Sequence, residues 1–95
     1  MDMHALQAFV EVARRGSFSL AAEALFVTQP AVSKRVSTLE QELGARLFDR
    51  IGRKISLTEA GRALLPRARR LLIEAEDMKR FASSLSERVS GSLVM

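Results

Sequence analysis

Cysteine, tryptophan and tyrosine are all missing from this 95-residue sequence. Without cysteine no disulfide can brace the fold and no thiolate can hold a metal. The lack fits a reducing compartment, and we expect a cytoplasmic protein. One histidine, His4, is not enough for a metal site and reads as a surface residue of the first helix. No apolar run approaches membrane-spanning length. Asp2 stands where a secretory signal would carry basic and then apolar residues. Paired carboxylates, a nucleophile constellation and a phosphate-cradling glycine loop are also lacking, so enzymatic chemistry is not expected.

What is present suits one small folded domain. Apolar residues make up 47% of the chain, enough for a core but a modest one, so help from a partner chain would be no surprise. The net charge of +4 and isoelectric point near 10.7 favour a polyanionic partner. Nucleic acid ranks first and an anionic membrane second. The membrane is the weaker choice because the apolar stripes are needed elsewhere.

Periodicity and punctuation divide the chain. Leu6, Phe9, Val10 and Ala13 form one stripe of a helix over about 3–15, stopped by Arg14, Arg15 and then Gly16. Ser17 or Ser19 can cap a second helix over about 19–25, with Ala21, Ala22 and Leu25 inward. Phe26 and Val27 make a short turn. Thr28 caps a third helix over about 28–43, with Pro30 in its first turn and Gly44 ending it. Val32, Val36, Leu39 and Leu43 form its core face. Pro30, Ser33, Lys34, Ser37, Thr38 and Gln41 project the other way. Strands over 47–50 and 55–57 flank the tight turn Ile51-Gly52-Arg53-Lys54, a hairpin with a basic tip. Thr58 caps a final helix over about 59–89, which Pro66 should kink or divide. Ser90-Gly91-Ser92 reads as a linker, and Leu93-Val94-Met95 as the start of a strand. The expected fold is therefore mainly α: a winged helix-turn-helix over 1–58, a long linker helix over 59–89, and a hinge over 90–95.

A helix enters a DNA major groove, about 12 Å wide, only if its outer side chains are short or base-compatible. Pro30, Ala31, Ser33 and Ser37 allow close approach. Gln29, Lys34 and Arg35 supply longer donors, and the free N–H groups at the helix start suit phosphate. Arg53 and Lys54 would reach the backbone or the adjacent minor groove. Each feature alone has a plainer reading as solvated surface; the arrangement makes them an interface. Arg50 stays open between DNA contact and a salt bridge to Glu40 or Glu42. Arg14 and Arg15 complement the end of their helix, while Arg67, Arg69 and Arg70 read as a solvated face, with flanking phosphate contact as the lesser alternative.

Beyond the hairpin, Leu64, Ala68, Leu71, Ala75, Met78, Ala82, Leu85 and Val89 alternate in steps of four and three, a heptad seam that Leu65 and Leu72 widen. It could lie over its own domain. At 1.5 Å per residue, however, it is about 38 Å long, more than three short helices and a hairpin can cover. Pairing with a second copy is the better expectation. Large and small residues alternate along the seam, which suits antiparallel packing. A symmetric dimer would set two recognition helices on one DNA face. Two other readings remain: a winged-helix module for protein–protein contact, and a complete small dimeric repressor.

The stretch Gly16-Ser17-Phe18-Ser19-Leu20-Ala21-Ala22, then Leu25, Thr28-Gln29-Pro30-Ala31-Val32-Ser33, Leu39-Glu40, Leu43-Gly44, Leu47-Phe48, Arg50 and Leu57-Thr58-Glu59-Ala60-Gly61 resembles the N-terminal domain of the LysR-type transcriptional regulators. The resemblance implies a bacterial regulator of about three hundred residues, with antiparallel paired linker helices and a C-terminal domain that senses a small molecule. It implies homodimers, tetramers at full length, and a pseudo-palindromic double-stranded DNA site. It implies no cofactor in this domain, and a chain cut where the effector domain would begin. By position it puts Gln29, Pro30, Ala31, Ser33 and Lys34 at bases and nearby backbone, Ser17, Thr28 and Arg35 near phosphate, and Arg53 at the wing tip. Ala31, Lys34-Arg35 and Ser37-Thr38 depart from common family residues, so the DNA sequence read should differ.

Overall fold

The computed structural model describes residues 1–52 and 54–89, the last two without their side chains. In chain order the elements are α1 (Met3–Arg15), α2 (Phe18–Leu25), α3 (Gln29–Leu43), β1 (Phe48–Ile51), β2 (Lys54–Leu57) and α4 (Glu59–Val89). Arg53 and the 90–95 segment, with its expected linker and strand, lie outside the described residues.

Each of the first three helices starts on a side-chain oxygen that accepts an otherwise orphaned backbone N–H. Asp2 accepts from Ala5 at 2.8 Å, Ser17 from Leu20 at 3.1 Å and Thr28 from Ala31 at 3.3 Å. Each cap contributes about 1 kcal/mol. Ser17, not Ser19, therefore opens α2, which begins at Phe18. Gly16 and Gly44 end α1 and α3 at φ +69° and +68°, where a side chain would be strained. The turn between α2 and α3 makes the same left-handed move with a phenylalanine. Phe26 has φ +59°, donates its N–H to the carbonyls of Ala22 and Glu23, and is 94% exposed.

α1 packs against α2, α3 and α4, so its buried Ala5, Leu6, Ala8, Phe9 and Val12 form the centre of the core. α2 adds Phe18, Ala21 and Ala22, and α3 adds Val32, Val36 and Leu39. Leu43, expected on the core face of α3, lies beyond this contact and is 36% exposed. Phe48 joins the wing to the core. Its ring meets Phe9 edge-on at 5.6 Å and Phe18 edge-on at 5.8 Å.

Both strands reach one residue further into the turn than expected: β1 starts at Phe48 instead of Leu47 and ends at Ile51, and β2 starts at Lys54. Ile51 pairs with Lys54, Arg50 with Ile55, Asp49 with Ser56 and Phe48 with Leu57, so Ile51 and Lys54, expected in the turn, belong to the strands. The Glu40 carboxylate accepts the Leu47 N–H at 2.8 Å and so ties the wing to α3. The Leu47 carbonyl accepts the Thr58 N–H at 3.0 Å, and the Thr58 hydroxyl donates to the Arg46 carbonyl while accepting the Gly61 N–H at 2.9 Å. This knot fixes the start of α4.

α4 runs through Pro66 as one helix, so the expected division does not occur. Proline removes one helical hydrogen bond, to the carbonyl of Arg62, and Arg62 is exposed, where water can take that place. The seam changes character along the helix. Leu65 and Ala68 are buried against the domain, with Leu64 and Leu72 half-buried beside them. Leu71, Met78 and Leu85 are 43%, 71% and 44% exposed, and Ala82 is exposed as well. Among the described residues no helix is long and apolar enough to cross a membrane.

Candidate nucleic-acid interface

The outer face of α3 is built as its spacing suggests. Gln29, Pro30, Lys34, Ser37 and Thr38 are exposed, and Ala31, Ser33 and Arg35 are half-buried at its margins. Pro30 sits in the first turn, where its missing N–H costs nothing. The Thr28 hydroxyl oxygen accepts the Ala31 N–H, which leaves the hydroxyl proton free to donate outward.

Two clefts flank this helix. One runs between the start of α2 and the wing, and Ser17, Ser19, Gln29, Arg50 and Lys54 line it. The other lies between α3 and β1, where Ser33, Ser37, Glu40, Arg46 and Arg50 meet. Arg50 thus stands at the junction of both. A third hollow joins α3 to α1, with His4 beside Ala31, Lys34, Arg35 and Thr38. His4, expected as a surface residue of the first helix, borders the outer face of α3. Arg46 carries no spacing signal in the sequence; its guanidinium donates to the Phe48 carbonyl at 3.2 Å.

The salt bridge from Arg50 to Glu40 or Glu42 does not form. Glu40 is occupied by the Leu47 N–H, and Glu42 pairs with the N-terminal amine of Met1 at 3.0 Å. The Arg50 guanidinium instead lies over the Phe18 ring, 4.8 Å from its centroid. Arg14 and Arg15 pair with Glu11 on their own helix, at 3.8 and 2.8 Å. Arg67, Arg69 and Arg70 are exposed. The structure therefore groups Ser17, Gln29, Ser33, Ser37, Arg50 and Lys54 around the two adjoining clefts, puts Lys34 with Ala31 and Arg35 in the hollow toward α1, and leaves Arg14, Arg15, Arg67, Arg69 and Arg70 apart from them. Among the described residues no three metal-ligating side chains cluster.

Residues 3–62 match the family model described as bacterial regulatory helix-turn-helix protein, lysR family. The chain is similar over its whole length, at 58% identity, to an uncharacterized HTH-type transcriptional regulator from the ibpB-leuC intergenic region of Azotobacter vinelandii, and covers 66% of that protein. It is 38% identical over 96% of its length to the HTH-type transcriptional activator CmpR of Synechocystis sp., of which it covers 30%. The chain thus spans only part of these relatives. Among solved structures, the CbnR DNA-binding domain in a crystal structure with DNA superposes at a TM-score of 0.85, with 36% identity, over 90% of this chain and 99% of that one.

Proposed function

Because the chain belongs to the lysR family of bacterial regulatory helix-turn-helix proteins, we propose that it is the DNA-binding part of a transcriptional regulator and reads a pseudo-palindromic double-stranded site as a dimer. The observation that carries this reading is the surface around α3: a helix face of short side chains between two clefts that share Arg50. α3 enters the major groove. Gln29 and Lys34 reach base edges, glutamine matching adenine and lysine donating to guanine. Pro30, Ala31 and Ser33 let the backbone approach. Ser17, Thr28, Arg35 and Ser37 hold phosphates beside the groove, and Arg50, Arg53 and Lys54 of the wing hold the backbone or the next minor groove. Residues 1–58 act as the reading unit and 59–89 as the linker, with an effector-sensing domain in the longer protein beyond. The longer protein is cytoplasmic and forms tetramers.

Binding should weaken steeply with salt, since each neutralised phosphate releases counterions. Titration against a duplex selected from a random pool measures this, and a flat salt response with no preference over mixed sequence would overturn the reading. Lys34→Ala should relax base preference. Lys54→Ala should weaken every sequence alike and lower the salt slope by about one. Equal losses on every duplex from both variants would contradict this division of labour.

The dimer half of the reading rests on the exposed end of the seam. An antiparallel partner that sets each large residue over a small one places Met78 opposite Ala75 and Leu71 opposite Ala82. The absence of native cysteine makes this easy to check. The double variant Ala75→Cys/Met78→Cys should oxidise to a covalent dimer within minutes. A pair shifted by one turn, Ala75→Cys/Ala82→Cys, should cross-link far less. The reverse order would show a different register.

A further inference from the structure

We infer that Phe18 is a positioning residue for DNA binding: its ring holds the Arg50 guanidinium at the junction of the two clefts, ready to meet a phosphate. The inference rests on the DNA-binding reading above and goes one step further, since it assigns a core side chain a role in the interface.

Phe18 is only 7% exposed, and its orientation is set from behind by Phe48, which stands edge-on to it at 5.8 Å and edge-on to the fully buried Phe9 at 5.6 Å. The three rings form an edge-to-face chain from α1 to the surface. Arg50 rests on the outer end, its guanidinium carbon 4.8 Å from the Phe18 centroid. Among the described residues no carboxylate pairs with Arg50 and no carbonyl accepts from it. Glu40, which also lines the second cleft, already accepts the Leu47 N–H.

The consequence is chemical. A guanidinium lying over a ring keeps its five N–H donors at its edge, available to an incoming acceptor. A bidentate salt bridge would have engaged two of them and neutralised the charge. A free arginine on an exposed strand would have to give up side-chain entropy when it bound, and the stack removes part of that loss in advance. Arg50 faces the Ser17 end of α2 on one side and Ser33 and Ser37 of α3 on the other. A phosphate of the strand bordering the groove fits between these groups. The planar fork suits it better than a lysine at the same place would.

A double-mutant cycle tests this on the whole 95-residue chain, with a mixed-sequence duplex of about 30 base pairs as probe and affinity measured across a salt series. Arg50→Ala should weaken binding about tenfold and lower the salt slope by about one. Phe18→Leu should weaken it about threefold to fivefold, the scale of a surface cation–π contact, with the slope kept. The two together should bind like Arg50→Ala alone. If the losses multiply, Phe18 acts only through packing and the inference fails. Phe18→Tyr keeps the ring and should bind like wild type, which guards against a Leu variant that folds poorly. NMR supplies an independent readout. The Arg50 side-chain protons should be shifted upfield by the ring in wild type and Phe18→Tyr, and unshifted wild-type protons would overturn the stack. Wild type that binds the duplex with an additive cycle defeats this inference alone. Wild type without salt-dependent binding defeats the DNA-binding reading as well.

Discussion

Gly61→Ala should cost about 3 kcal/mol or more and lower the melting temperature by roughly 12–24 °C, the range for a domain of this size. A Cβ built on Gly61 would lie 2.3 Å from the Leu47 carbonyl oxygen and 2.9 Å from Leu57 Cδ2. The first is backbone, and it cannot swing aside. That same carbonyl accepts the Thr58 N–H, so moving it breaks the bond that starts α4 beside the wing. Total stability in a domain this small is only about 5–10 kcal/mol, so the loss is a large fraction of it. Gly44→Ala is the control. It has open space around it and meets only the left-handed strain of φ +68°, about 1 kcal/mol. Thermal denaturation of both variants separates the two mechanisms, and equal shifts would mean that the close approach at Gly61 relaxes freely.

The contrast between those glycines also shows what the sequence could reveal. Gly16 and Gly44 end helices, and the chain announces such ends locally, with a periodic stripe followed by a glycine. The caps are local too: Thr28 stands out beside Pro30, Ser17 is one of two serines that could open α2, and Asp2 is not marked as the cap of α1. Gly61 matters for a contact with Leu47, which is distant in sequence, so nothing near it signals the constraint. The wing shows the same limit on a small scale. Ile51-Gly52-Arg53-Lys54 looks like a four-residue turn, but cross-strand pairing of Ile51 with Lys54 absorbs its outer residues. Leu43 has the right spacing for the core and still meets solvent, because helical period gives the face and not the point where the opposing helix stops. For the interface, the outer face of α3 was readable because it sits on one helix. The partner of Arg50 was not. Its choice between carboxylates and DNA was framed by charge, whereas the structure uses an aromatic ring that charge counting does not register. His4 and Arg46 escaped for a similar reason, being brought to α3 only by tertiary packing.

The second large effect lies at the far end of α4. Leu71→Gln/Met78→Gln should abolish the proposed dimerisation while leaving the fold of each chain intact, because both side chains are exposed in the single copy. Glutamine keeps helix propensity and adds no charge, so DNA electrostatics stay constant. Each dimer would lose four buried apolar side chains at about 1.5 kcal/mol or more each, which moves the dissociation constant by at least about 10⁴-fold. Sedimentation at micromolar concentration should then report a monomer. The consequence for DNA is larger than any single contact. Two linked recognition helices bind a two-fold site with the second contact made intramolecular, and losing the link should weaken full-site binding by about 10²–10⁴-fold. Binding to an isolated half-site should hardly change, because α3, the wing and the Phe18–Arg50 stack are untouched. A variant that stays dimeric, or that loses half-site and full-site affinity together, would place the pairing surface elsewhere. The seam's own composition argues against that outcome. Its first turns, around Leu65, Ala68 and Leu72, pack on the domain core, while Leu71 on the neighbouring face and Met78 and Leu85 further along stay uncovered.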